Sequence, residues 1–236
     1  MDSLHPENSA PRRPVGFTLV EMLVVIVIMS VLMTAGAIGL SGLGGKGVTS
    51  GVATAESLFD EARAVAVGQR TIARVLVSKD LTNVPTENLR RILIANRPLK
   101  TDGTIDTTKW VLSSRATVLP DQVYFSQEFS KLDHQSGTGA VKSDMTLTDT
   151  GAASAGTYFY YEFNSEGICT TPGASFVVGT GSRSVNAIAS EQPKVTAAGK
   201  KDFGGFVVWR NGRTSAFRSP AQISKSIDSL KTGDKF

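Results

Sequence analysis

One stretch of the sequence limits the fold more than any other. From Phe17 to Leu40 the chain reads FTLVEMLVVIVIMSVLMTAGAIGL, apolar or small almost throughout, with Glu21 as its sole charge. A helix of this length rises about 1.5 Å per residue and just crosses a hydrocarbon core of about 30 Å, which takes roughly 20 apolar residues. A bilayer-spanning helix is therefore expected. Residues 1–16 are polar and rich in proline and end in Arg12, Arg13 and Gly16, so neither helix nor core is expected before the span. Arg12 and Arg13 precede the apolar run and Lys46 alone follows closely, which by the positive-inside rule keeps the leader cytoplasmic and exports the rest.

A secretory signal of the ordinary kind has a shorter apolar region, about 7 to 15 residues, before a small-residue cleavage site. Met33-Thr34-Ala35-Gly36-Ala37 imitates such a site. Glu21 argues against that reading. A carboxylate within a membrane helix costs on the order of 2.5 to 3.5 kcal/mol at the bilayer centre and less near the interface, so it calls for a partner.

The stretch Gly16-Phe17-Thr18-Leu19-Val20-Glu21-Met22-Leu23-Val24-Val25 resembles the class III signal sequence of type IV pilins and type II secretion pseudopilins. The resemblance implies a prepilin peptidase that cuts between Gly16 and Phe17 and methylates the new amino terminus. It also implies that Glu21 pairs with the terminal amine of an adjacent subunit during filament assembly. Opposite charges in a low-dielectric bundle attract strongly and an unpaired one is penalised, so such a pairing would set axial register. The partners implied are other pilins or pseudopilins through the N-terminal helix, the peptidase, an inner-membrane assembly platform, and membrane lipid before assembly. The location implied is the inner membrane, crossed once, with the carboxy-terminal domain in the periplasm or outside the cell.

Glycines at 36, 39, 42, 44, 45, 47 and 51 each weaken a helix by about 1 kcal/mol relative to alanine, so a flexible or partly melted joint is expected after the span. Close helix contact through small residues is the other reading. Gly42-Leu43-Gly44-Gly45-Lys46-Gly47 meets the G-x-G-x-x-G spacing but lacks the strand before it that a dinucleotide loop requires. From Val52 to Ala66 apolar or small residues recur with a helical period at Val52, Ala55, Leu58, Phe59, Ala62, Val65 and Ala66. This predicts an amphipathic helix with a face to bury.

Strands are expected at 72–77, 91–95, 110–112, 122–126, 158–163 and 175–179. Phe206–Arg210 and Arg213–Phe217 flank Asn211-Gly212, which predicts a hairpin closed by a type I′ turn. Residues 131–156, rich in Gly, Ser, Thr, Ala and Asp, read as a long surface loop, and 182–201 as a similar break. The fold class is α+β: an N-terminal hydrophobic helix continuing, as the resemblance implies, into an amphipathic helix packed on an antiparallel sheet. The expected partition is leader 1–16, transmembrane and filament-core helix 17–41, glycine-rich joint and amphipathic helix 42–70, and exported β-rich domain 71–236. The run Phe163-Asn164-Ser165-Glu166-Gly167 and the terminal Val-rich hairpin are similar in layout to H-type minor pseudopilins.

Composition adds exclusions. The formal net charge of +4 comes with no block of like charges, so no nucleic acid is expected as a partner. A single cysteine, Cys169, permits neither an intrachain disulfide nor a thiolate metal site. Only His5 and His134 are present, His5 falls in the leader, and no nucleophile elbow or zinc-protease pair occurs. Asp144 and Asp149, and Asp228 and Asp234, cluster loosely without a calcium-loop spacing. No enzyme activity, cofactor or metal is expected. The leading reading is a minor pseudopilin, a structural filament subunit. Its alternatives are a minor pilin of a type IV pilus, serving adhesion, motility or DNA uptake, and a signal-anchored extracytoplasmic enzyme using Cys169 or His134.

Overall fold

The computed structural model describes residues 19–41, 43–148, 151–184, 191–194, 202–218 and 220–223. It divides into two compact units, Met1–Gly42 and Leu43–Phe236.

The first unit holds helix α1, Leu19–Ser41. Its residues Leu, Val, Ile and Met form a helix readily, but none of the described side chains from Leu19 to Ser30 has a buried face: Leu19 is 82% exposed, Ile26 61% and Met29 56%. Water is a poor solvent for such a surface, each apolar side chain left exposed forgoing about 1.5 to 3 kcal/mol. Ser30 Oγ donates to the carbonyl of Ile26 at 2.7 Å, so its hydroxyl is satisfied within the helix itself. Among the described residues no helix is long and apolar enough to cross a membrane. The side chains described in α1 end at Ser30, short of the roughly 20 residues that a span requires.

The second unit is α+β. Helix α2, Leu43–Gly68, buries Val48, Ala55, Leu58, Phe59, Ala62 and Ala66, one stripe at helical spacing. Gly44, Gly45, Gly47 and Gly51 therefore lie in helix where a partly melted joint was expected. Its small residues serve close approach instead. A Cβ on Gly47 would lie 3.2 Å from Val123 Cγ2, and one on Gly51 3.2 Å from Val123 Cγ1, so these two positions let the helix backbone settle against the chain that enters the second sheet.

Among the described residues twelve strands follow α2: β1 Ala73–Leu81, β2 Arg91–Asn96, β3 Val111–Leu112, β4 Thr117–Val118, β5 Val123–Phe125, β6 Lys131–Asp133, β7 Thr138–Ala140, β8 Met145–Leu147, β9 Gly156–Phe163, β10 Ala174–Thr180, β11 Phe203–Val208 and β12 Thr214–Ala216. One sheet runs β3-β2-β1-β9-β8, with β4 also on β2; a second runs β12-β11-β10-β5; β6 and β7 pair by themselves. All the pairings are antiparallel. A short helix α3, Pro220–Ile223, follows.

Residues on successive positions of a strand point to opposite faces, and the first sheet is buried on both. Val75, Val77, Ile92, Ile94, Phe159 and Tyr161 join the main core under α2. Leu76, Leu93, Ala95, Tyr158 and Tyr160 form a second cluster with Met145 and Leu147, flanked by Trp110 and Leu112. Phe59 joins α2 to both sheets. Its ring lies 5.0 Å from Tyr161, 5.6 Å from Phe176 and 5.0 Å from Phe206, all edge to face, with Phe163 at 6.2 Å.

Two further expectations need correction here. Residues 131–156 are not one long loop: β6, β7 and β8 lie there, and Val141, Met145 and Leu147 are buried. Met145-Thr146-Leu147 alternates buried and exposed against Tyr158 to Gly156 of β9, a strand too short to stand out in a Ser/Thr/Gly background. The Asn211-Gly212 hairpin is present, with Val208 opposite Thr214, but its turn is not type I′. Gly212 has φ 74° while Asn211 is not at positive φ, and Gly212 N–H donates to Trp209 C=O at 2.9 Å. That is the pattern of a three-residue loop whose left-handed residue follows the turn. A Cβ at Gly212 would also meet Gly167 O at 2.6 Å and Arg63 Cδ at 2.7 Å.

Candidate functional site

Of the three residues expected to carry processing and assembly, Gly16 and Phe17 lie outside the described residues. Glu21 lies in the first turn of α1, exposed among exposed Leu19, Val20, Met22, Val24 and Val25. A carboxylate in the first turn of a helix is favoured by the partial positive charge of the free backbone N–H groups, by about 0.3 to 1 kcal/mol. What this arrangement offers chemically is a single anion on an apolar rod. In a low-dielectric surrounding it would demand a cation, since an unpaired buried charge is costly.

The residues weighed for other chemistry do not converge. Cys169 is 1% exposed, its backbone pairs with Phe163 in an isolated antiparallel β-bridge, and its sulfur is 3.7 Å from Thr171 Oγ1. Burial pushes its thiol pKa up, against a smaller lowering by Thr171, so the sulfur is held as the unreactive thiol. His134 donates its backbone N–H to Gly173 C=O at 2.9 Å and rests its ring 4.7 Å from Phe217. No described contact joins His134 to Cys169. Asp144 lies against the hydroxyl of Tyr160, while Asp149, Asp228 and Asp234 lie outside the described residues. Among the described residues no group of His, Cys, Asp and Glu could hold a metal ion.

Two features of the body escaped the sequence reading. Trp110 is held between guanidinium groups, with Arg74 and Arg97 each 4.3 Å from its ring, and Arg74 also lies 3.9 Å over Tyr160 and bonds Glu162 at 2.6 Å. Burial and the neighbouring Arg74 hold the Arg97 pKa below its ordinary value. The second is a groove of about 700 Å³ between Gln69 and Arg70, just past the end of α2, and strand β3, lined also by Pro98 and Leu99. The only sequence signal for either was the aromatic at Trp110, inside an expected strand.

Comparison with known proteins gives a family match for the amino-terminal segment. Residues 16–37 match the prokaryotic N-terminal methylation motif. No curated protein matches the chain significantly. Among solved structures, the type IV minor pilin FimU of Pseudomonas aeruginosa aligns at 13% identity over 73% of this chain and 93% of its own, with a TM-score of 0.34. The minor pseudopilin EpsH of the Vibrio cholerae type II secretion system aligns at 13% identity over 72% and 94%, with a TM-score of 0.33.

Proposed function

We propose that this chain, whose residues 16–37 are a prokaryotic N-terminal methylation motif, is a minor pseudopilin: a structural subunit of a type II secretion-like filament. A prepilin peptidase removes residues 1–16 and methylates the amine of Phe17. The segment 17–41 serves first as a single inner-membrane helix, its leader held inside by Arg12 and Arg13, and then as filament core. The body, residues 42–236, lies in the periplasm or outside the cell. The inner-membrane assembly platform lifts the subunit out of lipid, and other pseudopilins cover the apolar surface that lipid covered before.

The observation that carries this reading is the position of Glu21. It lies in the matched segment, in the first turn of a helix whose described side chains are otherwise almost all apolar and exposed. A carboxylate there favours insertion neither in lipid nor in an apolar bundle unless a cation meets it, and the methylated amine of an adjacent subunit is such a cation.

The test compares Glu21→Val with wild type in cells that assemble the filament, separating filament-associated from membrane-resident protein by shearing or crosslinking. Insertion and cleavage should persist, and incorporation should fall. Equal incorporation at a position inside the filament would remove Glu21 from the mechanism. Neighbouring genes for a secretion ATPase, an outer-membrane secretin and sister pseudopilins would favour the secretion machine over a surface pilus.

A further inference from the structure

Asn211 is the one asparagine of the chain that is followed by glycine. Such a pair carries a chemistry of its own. The backbone nitrogen of the glycine, on giving up its proton, attacks the side-chain carbonyl carbon of the asparagine. A C–N bond forms, the bond from that carbon to Nδ2 breaks, and ammonia leaves. Water then opens the resulting succinimide at either of its carbonyls, which gives aspartate or isoaspartate. Glycine favours the step because it has no side chain to hinder the approach and the freest backbone.

The fold holds this pair back. Gly212 N–H, the nucleophile, donates to Trp209 C=O at 2.9 Å, and Gly212 is buried although Asn211 is exposed. Asn211 Oδ1 accepts the backbone N–H of Arg213 at 3.1 Å, which directs the side chain past Gly212. Ring closure therefore requires both bonds to break and the nitrogen to be uncovered. What covers it comes from elsewhere in the body. A Cβ on Gly212 would lie 2.6 Å from Gly167 O and 2.7 Å from Arg63 Cδ, and one on Gly167 would lie 3.2 Å from Arg63 Cγ. The stem of Arg63, from α2, thus packs against both turns at once. The same crowding accounts for the reactive pair: at φ 74° and with no room for a Cβ, position 212 takes glycine alone.

We infer that Asn211-Gly212 is a latent modification site, closed in the folded body and converted to aspartate or isoaspartate, with loss of ammonia and uptake of water, when the hairpin lifts from α2. The change is one that refolding does not erase. Isoaspartate routes the main chain through the former side chain and so lengthens the loop by a methylene. In a hairpin that pairs Val208 with Thr214 and Phe206 with Ala216, this displaces β12 from its register beside Phe206, whose ring meets Phe59 of α2. None of this rests on the filament reading.

The experiment follows the full chain in detergent micelles at pH 8, folded and in urea, beside a free peptide of residues 208–214. The readouts are the mass gain of amide-to-acid conversion in the proteolytic fragment that contains residue 211, and isoaspartate by enzymatic methylation. In urea the chain should react at the rate of the peptide. Folded, it should react at least about tenfold more slowly, because the reaction then waits on local opening. Asn211→Gln, whose ring closure is slow, should show no gain in this fragment. Arg63→Ala, which uncovers Gly212, should raise the folded rate at least about threefold and leave the rate in urea unchanged. Equal rates for the folded chain and the peptide, or no gain in urea, would overturn the inference, and that comparison needs no variant to fold. So would an unchanged rate in Arg63→Ala whose circular dichroism matches that of wild type.

Discussion

Replacing Phe59 by Ala should remove more stability from the body than any other single change in α2. Phe59 is fully buried and meets Tyr161 of β9, Phe176 of β10 and Phe206 of β11 edge to face within 5.6 Å, so one ring ties the helix to both sheets. Truncating a buried Phe costs about 3 to 5 kcal/mol, which includes the cavity left behind. Edge-to-face pairs add about 0.5 to 1.5 kcal/mol each beyond burial, though such contributions overlap within one cluster. The upper part of the range, about 4 to 5 kcal/mol, is therefore expected. In a body of this size about 1 kcal/mol shifts Tm by roughly 2 to 4 °C, so the fall should be about 8 to 20 °C. The assay is urea and thermal unfolding of the protein lacking the anchor and beginning at Leu43, followed by circular dichroism. Phe59→Leu should lie between wild type and Ala, since it keeps volume and loses the ring contacts. A loss below about 1 kcal/mol for Phe59→Ala would refute the claim that α2 is fastened to the two sheets through this ring.

Trp110→Leu keeps apolar bulk and removes the ring held between Arg74 and Arg97; urea unfolding should show a loss of about 1 to 2 kcal/mol, and no loss would mean the stacking contributes nothing. Cys169, buried with its thiol pKa raised, should resist alkylation in the folded body at pH 8 and react on unfolding in urea; labelling of the native protein at the rate of a free thiol would contradict its placement. A body starting at Val52 rather than Leu43 discards Val48, which is 3% exposed, and the contacts of Gly47 and Gly51 with Val123. It should unfold at lower urea by about 1.5 to 3 kcal/mol, and equal stability would place the first turns of α2 outside the core.

How much of this was readable in advance follows from which signals were local. The amphipathic stripe around Phe59 and the strands at 72–77, 91–95 and 158–163 carry their periodicity in consecutive residues, and each appears within a residue or a few of its expected bounds. The strand β8 does not, because Met145 and Leu147 gain their meaning only from Tyr158 across the sheet and Trp110 beyond it. The glycines of α2 read as a joint or as points of close contact for the same reason. Propensity prices the helix alone, whereas Gly47 and Gly51 are kept small by Val123, far away in sequence. At the hairpin, Asn-Gly announced a turn, but the packing of Gly212 against Gly167 and Arg63 shows only in the fold. The candidate site divides likewise: Gly16, Phe17 and Glu21 are legible as a linear motif, while the groove at Arg70 is made by two segments that only the fold brings together.

The most direct test of the account is the amino terminus of the mature protein. Intact-mass analysis and N-terminal fragmentation of the chain produced with a prepilin peptidase should show a protein beginning at Phe17 and carrying one methyl group on its amine, and Gly16→Ala should leave most of the chain uncut. A mature chain beginning near Ala37, or a wild-type chain that keeps residues 1–16 in the presence of active peptidase, would contradict it.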